Sequence, residues 1–403
     1  MAVTNLYRPE WSALDPGELR LLLNERIGGP GQLDLREGDP PSLALPEAGP
    51  NCHVRLFFPR NRLSDVRPGA AFDRAEWRAI EEEVGAALLS GVPRFGRGIS
   101  FCSFRVEGSW RGERSGVQIL PMMEGAPRPP VEMAEHPFIL EYPVIDGGFL
   151  AVTRYRRRRD HRRLTRLLNL LLAGRTNLPD RQPDAGWAIV KSPEGHEVVW
   201  AQRSYLVDPG ELLRDVPSTP AAKRIEEIEA GEYHDRSGHD GGHLRVPSDL
   251  DTSICRYLDL PESQRARFDR SLFWLDLARR QWGASVSASF ASLVTAVEAL
   301  LLRGASHELH CPACGKDVTH DHPGIGATFR AFLETYAPGE RHQASRNKIY
   351  AVRSQVVHGD RLILFDLEAE TSFDPTWWNE FNLNDDLSAV VRVALRGWLT
   401  AQN

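Results

Sequence analysis

Residues 347–360 read Asn-Lys-Ile-Tyr-Ala-Val-Arg-Ser-Gln-Val-Val-His-Gly-Asp, which sets Arg353 and His358 five positions apart. A guanidinium stays charged and donates paired hydrogen bonds to phosphate oxygens, while an imidazole exchanges protons near neutral pH. Together they are the least equipment that cleaves a phosphodiester without a metal. The spacing alone decides little. Four of the 49 basic residues are lysine, and the 45 arginines with 13 histidines in 403 positions make about 1.5 such pairs expected by chance. The chain holds two, the other being Arg156 and His161. Setting has to separate them.

The setting of Arg353 is a helix predicted over 341–358, which Gly359 is placed to stop. Five residues turn an ideal helix by about 140°, so the two side chains converge only if His358 sits in a loosened last turn. Arg353 falls on the stripe of Tyr350 and Val357, at the edge of a packed surface, where a guanidinium needs an anionic partner. Glu298, itself placed among Val294, Val297, Leu301 and Leu302, is the candidate. A Glu298–Arg353 bond would fix the guanidinium and leave donors for a phosphate. The plainer alternative is a structural ion pair, with His358 merely complementing a helix C-terminus. Arg156 and His161 lie in the arginine-rich run 154–166 at a predicted helix start, where cations oppose the helix dipole. That run reads as a charged surface or as a phosphate-binding patch for RNA.

A second constellation is His307-Glu-Leu-His310-Cys311-Pro-Ala-Cys314-Gly-Lys. Two thiolates on a tight turn, with a glycine that lets the backbone fold around a metal, have the form of a zinc knuckle. One cysteine pair requires completion by histidine: His320 and His322 a few residues on, or His307 and His310 before it. Four protein ligands leave no open coordination position, so Zn2+ would staple the fold and do no chemistry. The redox reading of Cys-Pro-Ala-Cys requires a strand before it and a helix after it, and two free thiols are the third alternative. His234, His239 and His243, with Asp235 and Asp240, form a polar loop that could also bind a metal.

The elements that carry these groups change character along the chain. Helices are predicted over 16–25, with Asp15 as cap, over 72–90, with Asp73 as cap, and over 160–173, closed by Gly174. Strands are predicted over 53–58, 99–106, 117–121, 137–145, 149–155, 186–191 and 197–207. This is an α+β domain spanning 1–208, followed by a connector, 209–260, with one charged helix over 221–230. From 261 to 403 helices take over: 265–282, 284–302, 325–336, 341–358 and 385–400, the last capped by Asn384 with Asp385 and Asp386. The expected architecture is thus α+β, then an all-α bundle with the zinc-knuckle insertion. A net charge of −6 argues against a general electrostatic grip on nucleic acid. Five cysteines do not make a disulfide framework, and no 18-residue apolar stretch or signal-like start occurs, so a cytoplasmic chain without membrane contact is expected.

A long helix ending Ala-Val-Glu-Ala-Leu-Leu-Leu (296–302), then a helix reading Lys-Ile-Tyr-x-x-Arg-Ser-x-x-x-His-Gly (348–359), resembles the Apea-like branch of the HEPN domains. These are helical bundles of phage-defence, abortive-infection and toxin–antitoxin systems, and the resemblance covers about residues 262–402. It implies a metal-independent endoribonuclease acting as a homodimer, its motif helices meeting across a two-fold axis. Arg353 would bind the scissile phosphate and stabilise the pentavalent transition state. His358 would act as base or acid while the RNA 2′-hydroxyl attacks and leaves a 2′,3′-cyclic phosphate. Ser354 occupies the polar position after the arginine, with a supporting hydrogen bond as its role. The variant with a tyrosine two residues past the histidine, a target of AMPylation, is not matched, because Asp360 stands there. The alternative within the resemblance is a non-catalytic HEPN scaffold or nucleotide binder. Residues 1–260 carry no assignable motif and are expected to sense or restrain, or to meet a phage or antitoxin partner.

Overall fold

The computed structural model describes residues 5–29, 31–34, 41–59, 63–89, 92–102, 104–122, 136–146, 148–173, 176–177, 187–191, 198–202, 223–235, 242–301, 307–310, 314–315, 317–320, 325–367 and 375–402. The protein mixes α and β structure and divides into two compact units that interleave in sequence: Met1–Gly98 with Glu141–Arg162, and Ile99–Leu140 with Arg163–Asn403. Among the described residues no helix is long and apolar enough to cross a membrane.

In the first unit, helix α1 (Pro16–Ile27) starts where Asp15 accepts from the Gly17 amide at 2.8 Å. Strands β1 (Gln32–Asp34), β2 (Ser42–Leu45), β3 (Val54–Phe57) and β4 (Asp65–Pro68) form an antiparallel sheet in that order. Helix α2 (Arg74–Leu89) is capped by Asp73, which accepts from the amides of Ala75 and Glu76. Trp11, Leu19, Leu23, Leu56, Trp77, Ile80 and Val84 fill the core between these elements.

Strands β5 (Val92–Cys102), β6 (Trp110–Arg111), β7 (Gln118–Pro121), β8 (His136–Asp146) and β9 (Thr176–Asn177) form a second sheet in the order β6-β7-β8-β5-β9. Helix α3 (Leu150–Leu171) follows β8. Residues 149–155, expected as a strand, are therefore the helix start. Val152, Thr153 and Tyr155 favour strands locally, but Glu25, from α1, accepts from the Leu150 and Ala151 amides at 3.1 and 2.8 Å and so caps the helix from far away in sequence. The run 154–166 is thus helix interior. Gly174, the expected stop, lies outside the described residues, and Ala173 takes the left-handed conformation at φ 54°.

Beyond a hairpin of β10 (Trp187–Lys191) and β11 (Val198–Gln202), the helix expected at 221–230 is absent from its described part. Lys223 to Ile228 is extended, because its backbone bonds to distant chain: the Ser109 amide donates to Lys223 and the Ile225 amide to Ser109. β12 (Glu227–Ile228) runs parallel to β13 (Val246–Pro247), with α4 (Ala230–Asp235) and α5 (Leu250–Asp259) around them.

Five longer helices follow: α6 (Glu262–Gln281), α7 (Val286–Glu298), α8 (Ile325–Tyr336), α9 (Glu340–Val357) and α10 (Pro375–Thr400). α7 packs on α6, α9 and α10, and α10 also meets α5, α8 and α9. Phe268, Phe290, Val294, Val297, Phe329, Ile349, Leu387, Val391 and Ala394 are buried among them. Gly397 is needed where α10 crosses α8, since a Cβ there would stand 2.4 Å from the Tyr336 carbonyl oxygen. α10 starts at Pro375, ten residues before its expected start, so Asn384 is no cap. It lies inside the helix, 2% exposed, with its amide 3.5 Å from the Ser289 hydroxyl. Between α7 and α8, β14 (His307–His310) pairs antiparallel with β15 (Asp317–His320), His307 opposite His320.

Candidate functional site

The end of α9 is built as Gly359 requires. The Gly359 amide bonds the Val356 carbonyl at 3.2 Å and the Asp360 amide bonds Gln355 at 2.9 Å, with Gly359 left-handed at φ 78°. This double closure satisfies carbonyls the helix would otherwise leave open, and a Cβ at Gly359 would oppose it. His358 is the cap residue, its amide bonded to Ser354 and its side chain in solvent.

One turn earlier the same helix buries a charge. Ile349, Arg353 and Val356 form the buried face, at steps of four and three residues. Val357, expected on the Arg353 stripe, is instead exposed, and the side chain of Tyr350 lies outside the description. Arg353 is 7% exposed. Its Nε donates to Glu298 Oε1 at 3.0 Å, and its Nη2 bonds the same oxygen. The Phe329 ring, from α8, lies 6.0 Å from the guanidinium carbon. Three helices thus orient one group: α9 carries it, α7 pairs it, and α8 backs it with an aromatic face. Glu298 takes the Nε and Nη2 donors, so the Nη1 edge takes no part in that pair.

Glu298 and Arg353 are therefore brought together, while Ser354, the residue after Arg353, and His358, the cap, lie exposed. Ser354 takes part through its carbonyl, which accepts from the His358 amide at 3.1 Å. Among the described residues the His358 ring has no hydrogen bond.

The competing pair has a structural explanation. Arg156 donates to Glu18 at 2.8 Å and to the Ile145 carbonyl at 3.2 Å. His161 stacks on Tyr142 at 6.1 Å and 12°, so close to Gly98 that a Cβ there would meet the ring at 2.5 Å. Along the same run Arg159 is bonded to Glu18 and Asp160, Arg163 pairs with Asp269, and Arg166 lies over the Phe273 ring. These guanidinium groups are held by carboxylates and rings within the fold.

At the cysteine pair, Cys311 and His322 lie outside the described residues, and Cys314 is exposed. Gly315 adopts φ 66° in the turn between β14 and β15. A strand follows the turn, so the helix that a redox Cys-x-x-Cys uses to stabilise its thiolate is not supplied. The hairpin backbone sets His307 and His320 opposite one another. Among the described residues no three side chains that could hold a metal come together. His234 and His243 form no such group either. His234 belongs to α4, His243 faces Glu107 at 3.3 Å, and His239 lies outside the described residues.

The residues that anchor the chain beyond His358 had no local signal. Asp366 receives the Ser285 hydroxyl and the Val286 and Ser287 amides, each at 2.8 Å, and so caps α7. Glu380, on α10 and 7% exposed, accepts the Leu364 amide at 2.9 Å and pairs with Arg361. The acceptors lie up to 81 residues from their donors, beyond the reach of any spacing argument. No protein-family model, curated protein or solved structure matches the chain.

Proposed function

We propose that the chain is a metal-independent endoribonuclease of the HEPN type, serving a defence or abortive-infection system. The observation that carries this reading is the Glu298–Arg353 pair, which fixes a guanidinium one turn before an exposed histidine at a glycine-closed helix end. The Nη1 edge of Arg353, which Glu298 leaves unengaged, donates to a phosphate oxygen and meets the charge that grows in the transition state. His358 removes the proton of the RNA 2′-hydroxyl or delivers one to the leaving oxygen, giving a 2′,3′-cyclic phosphate. Ser354 supports the phosphate with its hydroxyl. Two copies of the chain meet through the motif helices, so that each subunit supplies a set of these groups. Zn2+ at Cys311, Cys314, His320 and His322 (or His307 and His310) staples the insertion. The first 208 residues sense or restrain, through a phage or antitoxin partner.

The deep burial of Arg353 favours a second reading, a non-catalytic HEPN scaffold or nucleotide binder in which the pair only holds helices together. One assay separates them. Purified protein is incubated with tRNA or total RNA in EDTA, beside Arg353→Ala and His358→Ala. Cleavage by the wild type alone supports the enzyme, and identical behaviour of all three overturns it.

A further inference from the structure

The segment leaving the motif helix carries another arginine, and its surroundings repeat those of Arg353. After the left-handed turn at Gly359 the chain folds back, bringing Arg361 Nη1 within 3.4 Å of Gln355 Oε1 on the last turn of α9. Arg361 therefore lies within one helical turn of His358. Its Nη2 pairs with Glu380, a carboxylate only 10% exposed, while the arginine side chain itself is 38% exposed. Glu298 and Arg353 have the same form: a carboxylate from a neighbouring helix, largely covered, holding a guanidinium by one edge.

The backbone around Arg361 is fixed on both sides. Asp360 closes the helix, and the buried Ile363 donates its amide to the Ser287 hydroxyl at 2.7 Å. Leu364 donates to Glu380 and Asp366 caps α7. A guanidinium has five N–H donors. Glu380 and Gln355 engage the Nη groups of one side chain that stays partly open to solvent. An arginine held from behind, with an outward edge, is suited to a phosphate because its orientation is set before binding.

We propose that Arg361 is a second phosphate-binding residue, which grips the RNA backbone at a phosphate next to the one held at Arg353 and His358. This rests on the ribonuclease reading above and adds where the strand runs: across the outer side of the α9 C-terminus, toward α10. The ligand class is a single RNA strand carrying consecutive phosphodiesters. The alternative is that Arg361 serves only as counter-ion to Glu380.

The test uses the full-length protein and a fluorescent 2′-O-methyl RNA oligonucleotide, which keeps every phosphate but blocks 2′-hydroxyl attack. Binding is followed by anisotropy at several salt concentrations, beside unfolding midpoints and cleavage of unmodified RNA. Arg361→Gln is expected to raise Kd about tenfold and to flatten the salt dependence by up to about one phosphate contact. Arg361→Lys should fall between. Because Arg361→Gln leaves Glu380 unpaired, Arg361→Gln/Glu380→Gln is measured too; it retains an acceptor for the Leu364 amide and should show the same loss of affinity. If the wild type cleaves RNA while both variants bind as it does, Arg361 is a counter-ion and the proposal falls alone. Should the wild type neither bind nor cleave RNA, the ribonuclease reading falls and takes this one with it.

Discussion

Glu298→Ala is the sharpest probe of the candidate site. It removes the acceptor of two Arg353 donors and leaves a guanidinium that is 7% exposed on the face it shares with Ile349 and Val356. Breaking a buried pair by deleting one partner costs about 3–5 kcal/mol. The Glu298 side chain is 21% exposed, so some water reaches the vacated place and the lower end, about 3 kcal/mol, is expected. Arg353→Met removes the charge and retains the bulk; the remaining carboxylate can hydrate, and the cost falls to about 1–2 kcal/mol. The double variant Glu298→Ala/Arg353→Met recovers much of the loss, giving a coupling of about 2 kcal/mol between the sites. Shifts of the urea midpoint at constant slope measure these differences in the transition that reports α7 and α9. Cleavage should fall on the order of 100-fold in Glu298→Ala, because the arginine loses its aim, and should not return in the double variant. Additive effects, with coupling below about 0.5 kcal/mol, would refute the claim that this carboxylate sets the guanidinium.

Asp366→Ala should cost about 1–2 kcal/mol through loss of the α7 cap. Burial alone would raise the Asp366 carboxyl, but hydrogen bonds from Ser287, Ser285 and Val286 outweigh it and hold the group below the ordinary range. Its contribution is thus complete above the unfolded value near 3.9 and is lost as pH falls through the lower folded value, a slope that Asp366→Asn should flatten in thermal melts between pH 6 and 3. His234 has the opposite linkage for a histidine. Burial first, then Arg396, lowers it to about 4, so acidification from about pH 6.5 toward 4 favours the unfolded chain, and His234→Gln should remove that part of the pH dependence. Gly359→Ala forces a Cβ into φ 78° and should cost about 1 kcal/mol in chemical denaturation, with a larger relative loss of cleavage because His358 is displaced. Exhaustive chelation should lower the thermal midpoint by emptying the proposed Zn2+ site, while the protein that stays folded keeps the proposed cleavage of RNA.

Sequence reading worked where the determinant was local. Asp15 and Asp73 cap the helices that follow them, Ile325–Tyr336 matches the predicted boundaries, and Gly359 ends α9. The pairing of Glu298 with Arg353 could also be inferred, because each was an isolated charge on an apolar face. What failed was set from a distance. Glu25 turns the β-prone residues after Phe149 into a helix start, and Ser109 draws the chain after Lys223 into extended pairing. Asn384 with Asp385 and Asp386 imitated a helix start, yet Ser289 receives the Asn384 amide inside a longer helix. Val357 was assigned to the wrong stripe because one helical position separates it from the buried Val356.

The interleaving of the two units governs how the molecule can be dissected. Residues 99–140 and 163–403 belong to one compact body, and 1–98 with 141–162 to the other, so the polypeptide passes between bodies three times. A truncation at residue 261 would deprive the helices of β6, β7, β9 and the end of α3, including the Asn169 carbonyl that accepts from Arg392 at 3.2 Å. Severing the chain anywhere in sequence therefore yields no piece corresponding to either body, and mutations made in intact protein are the sounder route to assigning work to each.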